Sequence, residues 1–164
     1  MTWLPLGDSP LVVDGYQGLG DNIFQRPFIR AACERHPHVY VCTPWPQLYW
    51  DMPDNLHFIR SRSALRAQAD NERMYLDEFC DNPPALAEYA KMYYAEEQFN
   101  AGDGILTTFG KQLPLGDSSF NFDFSPKPEW LVAADQVKMR LGMSDQEEFT
   151  IVMPPAYRVE WKNS

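Results

Sequence analysis

Leu11-Val12-Val13-Asp14-Gly15-Tyr16-Gln17-Gly18-Leu19-Gly20-Asp21 decides the fold, because it runs from an apolar segment through glycine-spaced turn residues into a helix start. Leu11-Val12-Val13, bounded by Pro10 and Asp14, reads as a buried strand. Asp21 stands where a helix N-cap is expected, and Ile23, Phe24, Pro27, Phe28, Ala31 and Ala32 then recur at three- and four-residue spacing. This helix is expected to end near His36-Pro37, and Pro27, beyond the first turn, to bend it rather than abolish it.

Val39-Tyr40-Val41-Cys42 and Leu56-His57-Phe58-Ile59 read as second and third strands, separated by a Pro- and aromatic-rich stretch. Strand, helix, strand, short crossover, strand predicts an α/β class: a three-layer, Rossmann-like domain with a mostly parallel sheet. Further along, the pattern predicts a helix over 63–71 and a short fourth strand at Met74-Tyr75-Leu76. A longer helix should open at Pro83-Pro84, with an apolar stripe of Leu86, Tyr89, Ala90, Tyr93, Tyr94 and Phe99. Residues 102–127 read as loop, strand-like at 105–109 and alternating by two at Phe120-Asn121-Phe122-Asp123-Phe124. Pro128 starts another helix, ended by Gly142, and 149–153 reads as a strand. The domain is expected over 1–153, and 154–164 reads as the start of a linker.

Fourteen Lys and Arg against 23 Asp and Glu leave a formal charge of −9, which opposes the counterion release behind nonspecific nucleic-acid binding, so no nucleic-acid partner is expected. The cluster Arg60, Arg62 and Arg66 reads as a solvated face. Cys33, Cys42 and Cys80 are odd in number and irregularly spaced, as reduced core cysteines are, and this favours a cytoplasmic setting. Cys33, His36 and His38 lack the second close ligand pair of a zinc site. No run approaches the ~20 apolar residues of a membrane span.

Ligands of open α/β sheets bind at the carboxyl ends of strands, which makes the loop from Gly15 to Asp21 the site candidate. Gly18 and Gly20 permit close approach of another molecule, and the helix N-terminus adds backbone donors. The glycines do not give the dinucleotide spacing G-x-G-x-x-G, nor is there a P-loop Gly-Lys-Ser/Thr. Asp21 would repel a pyrophosphate placed there but could accept a proton from a sugar hydroxyl. The plainer alternative makes Asp21 only an N-cap, worth about 1 kcal/mol. Arg26 and Arg30, four apart, could face an anionic acceptor, though surface solubility explains them nearly as well, and Trp45, Tyr49 and Trp50 could stack on sugar faces, although core packing better explains at least two of them.

Gly18-Leu19-Gly20-Asp21, five residues, Pro27, and a helix closing on His36-Pro37 together resemble the opening of the ADP-heptose:lipopolysaccharide heptosyltransferase family. The Met52-Pro53-Asp54-Asn55 turn before the third strand adds to the likeness, which covers residues 11–60. The resemblance implies the N-terminal, acceptor-binding half of a GT-B glycosyltransferase, acting by inversion with Asp21 as catalytic base. Its acceptor would lie against Gly18, Gly20, Asn22, Arg26, Arg30 and Trp45. The passage Met153-Pro154-Pro155-Ala156-Tyr157-Arg158-Val159-Glu160-Trp161-Lys162 resembles the family's crossing into its donor domain, with Arg158 and Lys162 toward the donor diphosphate. It further implies a nucleotide-sugar donor and a glycan acceptor, no cofactor or metal, lipopolysaccharide biosynthesis, and a cytoplasmic place at the inner face of the membrane with at most peripheral contact. Without the second domain, catalysis would be incomplete. Two other readings stay open: a non-catalytic binding or assembly protein on the same fold, and a nucleotide-binding domain of another enzyme.

Overall fold

A computed structural model describes residues 9–80, 83–93, 105–113, 115 and 120–144. Four strands, β1 (Leu11–Asp14), β2 (Val39–Cys42), β3 (Leu56–Ile59) and β4 (Glu88–Lys91), form one sheet in the order β3-β2-β1-β4. Every pairing is parallel, with Leu11 opposite both Val39 and Glu88, and Val39 opposite Leu56. Helices α1 (Leu19–Cys33), α2 (Arg66–Met74), α3 (Ile105–Gln112) and α4 (Pro128–Arg140) complete the described elements, with 3-10 turns at Pro46–Tyr49 and Leu76–Glu78. The domain is thus α/β, its all-parallel sheet flanked by helices in the Rossmann-like manner expected.

Strand alternation places the core. Leu11, Val13, Val39, Val41 and Ala90 are buried on one sheet face, and Phe28, Ile29, Ala31 and Ala32 of α1 are buried with them. α1 packs against β2, the Pro46–Tyr49 turn and α3, and it runs unbroken through Pro27. Its last carbonyl and the turn that follows are held from outside the helix, because Asn55 Nδ2 donates to Cys33 O and to His36 O, both at 2.9 Å. The opposite face carries Val12, Asp14, Tyr40, Cys42, His57 and Ile59, all half-buried. Burial, and then His38, hold the His57 imidazole below its ordinary pKa.

Several elements differ from expectation for identifiable reasons. The fourth strand is not Met74-Tyr75-Leu76, since α2 continues to Met74 and Tyr75 N still donates to Asn71 O. It lies instead inside the helix expected from Pro83-Pro84. There Ala90 and Met92 turn inward while Tyr89 and Lys91 turn out, and β4 covers the edge that β1 would otherwise leave unpaired. Over four residues, a period of 2 and a helical stripe are hard to distinguish. Ile105–Gln112 is a helix, not strand-like, and its Gly110 stands near Phe28. Phe120 and Phe122 pair with no strand; their rings lie 4.4 and 6.1 Å from that of Phe28.

The chain divides into two units, Met1–Ser125 and Pro126–Ser164. In the second, α4 begins at Pro128 as expected, and Gly142, at φ +68°, follows its end. The expected boundary at 153/154, the strand at 149–153, and Arg158 and Lys162 lie outside the described residues.

Candidate functional site at the carboxyl edge of the sheet

Because β3 and β2 lie on one side of β1 and β4 on the other, the strand order reverses at β1, and the crevice outside the ends of β1 and β4 is the place where such sheets bind ligands. Asp14 and Lys91 end these strands, with Lys91 Nζ 4.0 Å from Asp14 Oδ2. Burial, then the charge and hydrogen bond of Asp14, raise the pKa of the nearby Tyr89 phenol. The Gly15–Gly18 stretch leaves β1 at this point, and its backbone is held by side chains from two directions.

The first set comes from α1 and the segment after β2. Asn22 Nδ2 donates to Tyr16 O at 2.6 Å and to Gly18 O at 2.8 Å, while Tyr16 N donates to Gln25 Oε1 at 3.1 Å. Asn22 Oδ1 in turn accepts from Gln25 Nε2, Thr43 Oγ1 and the Tyr49 hydroxyl, at 2.9, 2.6 and 3.0 Å. Asn22, Gln25 and Thr43 are fully buried, so the loop rests on a polar network inside the core. Tyr49 lies within that network, and its burial raises its phenol pKa, keeping it a neutral donor. Gly15 is glycine for the same reason: a Cβ there would meet the Gln25 amide at 2.9 and 3.0 Å and Cys42 O at 3.3 Å.

The second set comes from one face of α2. Gln68 Nε2 donates to Gln17 O in the loop after β1 at 2.7 Å. Asn71 Nδ2 donates to Pro44 O after β2 at 2.6 Å and exchanges amide hydrogen bonds with Gln47. Glu72, 1% exposed, gathers the loop after β3: its Oε1 accepts from Ser61 N, Ser61 Oγ and Arg62 N at 2.7, 2.5 and 3.2 Å. This carboxylate holds Arg62 at φ 53°, a left-handed conformation costly for a long side chain, and Arg60 pairs with it at 3.5 Å. Residues at i, i+3 and i+4 thereby tie together the loops after three successive strands.

Of the residues singled out by sequence, Gly18, Gly20 and Asp21 are brought together at the start of α1. Asp21 is not the N-cap: Gly18 occupies that position, without a side-chain cap, and Asp21 is the third helical residue. Its carboxylate folds back over the loop, so that a Cβ on Gly18 would stand 2.4 Å from Asp21 Oδ2. Burial, and then the charge of Asp21, raise the Tyr16 phenol pKa. Gly20 faces open space, and a Cβ added there would meet nothing within 4 Å.

Asn22, Arg26, Arg30 and Trp45 are instead engaged internally. Asn22 is the centre of the buried network. Arg26, 3% exposed, and Arg30 turn onto Asp51 at 2.6 and 3.1 Å instead of presenting both guanidinium groups outward, and Arg26 also lies 4.9 Å from the Phe124 ring. Trp45 Nε1 donates to Gln17 O at 2.8 Å, a second bond to the carbonyl that Gln68 holds. Among the described residues, Gln17 Oε1 and Gln68 Oε1 are buried and accept no hydrogen bond. The Gln68 amide is oriented by its bond to Gln17 O, which leaves its oxygen as the free acceptor.

Sequence reasoning missed Asp14, Gln68, Asn71, Glu72, Tyr89 and Lys91. The position of Asp14 at the end of the first strand was the one available signal. The α2 residues gave none, because a buried polar face has the same spacing as a solvated one. The three cysteines form no disulfide. Burial above all pushes Cys33 up to about 12; burial, and then the charges of Asp14 and Glu72, opposed by a Gln17 hydrogen bond, push Cys42 up to about 11. Among the described residues no helix is long and apolar enough to cross a membrane, and no group of three or more His, Cys, Asp or Glu could hold a metal.

No family model matches the sequence, and no curated protein or solved structure matches the chain.

Proposed function

We propose that the Gly15–Asp21 loop binds a hydroxyl-rich acceptor, a sugar or glycan, and that the domain is the acceptor half of an inverting, nucleotide-sugar-dependent glycosyltransferase in which Asp21 receives the acceptor proton. One observation carries this reading: two amide oxygens beside the loop are buried and accept no hydrogen bond. Gln17 Oε1 and Gln68 Oε1 are buried without donors, and the Asp21 carboxylate bends over Gly18 in the same loop. A polyol supplies the donors that the two amide oxygens lack, whereas a phosphate supplies none and meets a negative charge. Deprotonation of one ligand hydroxyl by Asp21 would prepare it to attack an activated sugar carbon, with positive groups of a donor domain stabilising the leaving diphosphate.

The strand order favours one competing reading, since a reversal beside β1 is also where a mononucleotide binds in such sheets. Saturation-transfer NMR with unphosphorylated mono- and disaccharides and with ADP separates the two. The acceptor reading expects saturation of sugar protons, weakened in Gln68→Ala and retained in Asp21→Asn. ADP binding that tightens in Asp21→Asn, without sugar contact, would establish the nucleotide site instead. With sugar binding in hand, transfer from ADP-, UDP- and GDP-sugars by the encoded full-length protein should be abolished by Asp21→Asn.

A further inference from the structure

We propose that His38 and His57 form a binding site for one borderline transition-metal ion, Cu²⁺ or Ni²⁺, on the sheet face opposite the buried valines. His38 immediately precedes β2, and His57 lies on β3 in register with Tyr40. Alternation therefore puts His38, Tyr40 and His57 on one face, away from Val39, Val41 and Leu56. His38 Nδ1 and His57 Nε2 converge to 3.0 Å, with ring centroids 5.2 Å apart.

Two imidazole nitrogens so close hold either one shared proton or one shared cation, since their lone pairs repel. With metal–nitrogen bonds of ~2.0–2.1 Å, a 3.0 Å separation subtends about 95° at the ion. That angle is a cis edge of a square-planar or octahedral shell, the geometries of Cu²⁺ and Ni²⁺. A tetrahedral Zn²⁺ would need the pair to open to about 3.3–3.4 Å. The ligand separation is constrained by the backbone, because His57 lies on β3, which pairs in parallel with the β2 strand that His38 immediately precedes, and the His57 ring stacks on Tyr40 at 4.8 Å. Both nitrogens must be unprotonated for binding, so the ring protons move to His38 Nε2 and His57 Nδ1.

With no third His, Cys, Asp or Glu in the group among the described residues, water fills the remaining positions. An imidazole pair completed by water, without a charged ligand, makes a site of moderate affinity. The formal charge of −9 draws cations toward the surface.

Calorimetric titration of the 164-residue chain with Ni²⁺ at pH 7.5 tests the site, together with the electron paramagnetic resonance spectrum of the Cu²⁺ form. The expected result is one ion per chain and nitrogen splitting from two imidazoles. His38→Asn and His57→Asn should each weaken Ni²⁺ binding at least ~10-fold, since even losses of groups that only support metal-bound histidines cost 10–100-fold. Each variant should leave one imidazole nitrogen on Cu²⁺ and an unchanged circular dichroism spectrum. Splitting from a single nitrogen in the unsubstituted chain, one ion per two chains, or affinity indifferent to both substitutions in folded protein would overturn the proposal.

Discussion

The α1 side and the α2 side hold the same loop by different means. On the α1 side, neutral amides and hydroxyls are fully enclosed, and each bonds to several others, with Asn22 serving Tyr16 O, Gly18 O, Gln25, Thr43 and Tyr49. On the α2 side each residue reaches a different loop, and the strongest holder is a charge, Glu72. An enclosed neutral network is costly to interrupt at any point, because every stranded group stays out of water. A row of separate ties fails one loop at a time. The α1 side should therefore govern stability, and the α2 side the arrangement of the site.

Asn22→Ala is the severest test of that contrast. It removes the hydrogen bonds that Asn22 accepts from Thr43, Tyr49 and Gln25 and donates to Tyr16 O and Gly18 O, and at ~1 kcal/mol for each bond lost inside the core it should cost about 3–5 kcal/mol. Urea unfolding measures it, and a loss below ~1 kcal/mol would mean that the network is not closed to water. Gly15→Ala comes next. The Gln25 amide it would strike is bonded on both sides and cannot swing away, so overpacking should cost about 1–3 kcal/mol. Gly20→Ala is the matched control: in open space within a helix, it should be neutral or stabilising by up to ~1 kcal/mol. Equal effects from the two glycines would remove the case for a preformed loop.

On the α2 side, Glu72→Gln keeps the shape and loses the charge. Hydrogen bonds to charged groups contribute ~1.5–3 kcal/mol against ~1 for neutral ones, so the expected loss is about 1–2 kcal/mol. Amide exchange should quicken at Ser61 and Arg62 while that of Tyr16 stays slow. Uniform quickening across all three loops would show that α2 acts as one unit.

The same contrast explains what could be read from sequence. β1, α1, β2 and β3 were legible because their apolar residues follow periods that burial dictates, and the glycines after Asp14 mark the loop. β4 was not, since Glu88-Tyr89-Ala90-Lys91 is a strand only because β1 has an open edge to fill, a requirement imposed from elsewhere in the chain. Asp21 and Gly18 were singled out by position. Arg26 and Arg30 were recognised as a pair, but their common partner Asp51 is 21 to 25 residues away, and no local pattern announces it. Gln68, Asn71 and Glu72 look in sequence like any solvated helix face, and only the three loop ends above the sheet make them internal.

The smallest effect is also the most local. Cys42 lies opposite Asp14 in the sheet, and burial, helped by Asp14 and Glu72, takes its thiol from 9.0 to about 11. At pH 8 the folded chain should thus hold about 100-fold less Cys42 thiolate than the unfolded chain, and iodoacetamide labelling should slow accordingly. The sign for stability follows, because a folded-state value above the unfolded one makes the native state bind more protons. The contribution is complete below pH 9.0 and is lost as pH rises from there through about 11 for Cys42 and about 12 for Cys33. Glu72→Gln removes one of the raising charges and should speed Cys42 labelling modestly, whereas Gly20→Ala, which alters neither charge nor packing, should not. Labelling that ignores Glu72 but follows global unfolding would mean that the α2 charge does not reach the carboxyl edge, and the division between a stabilising side and a tuning side would fall.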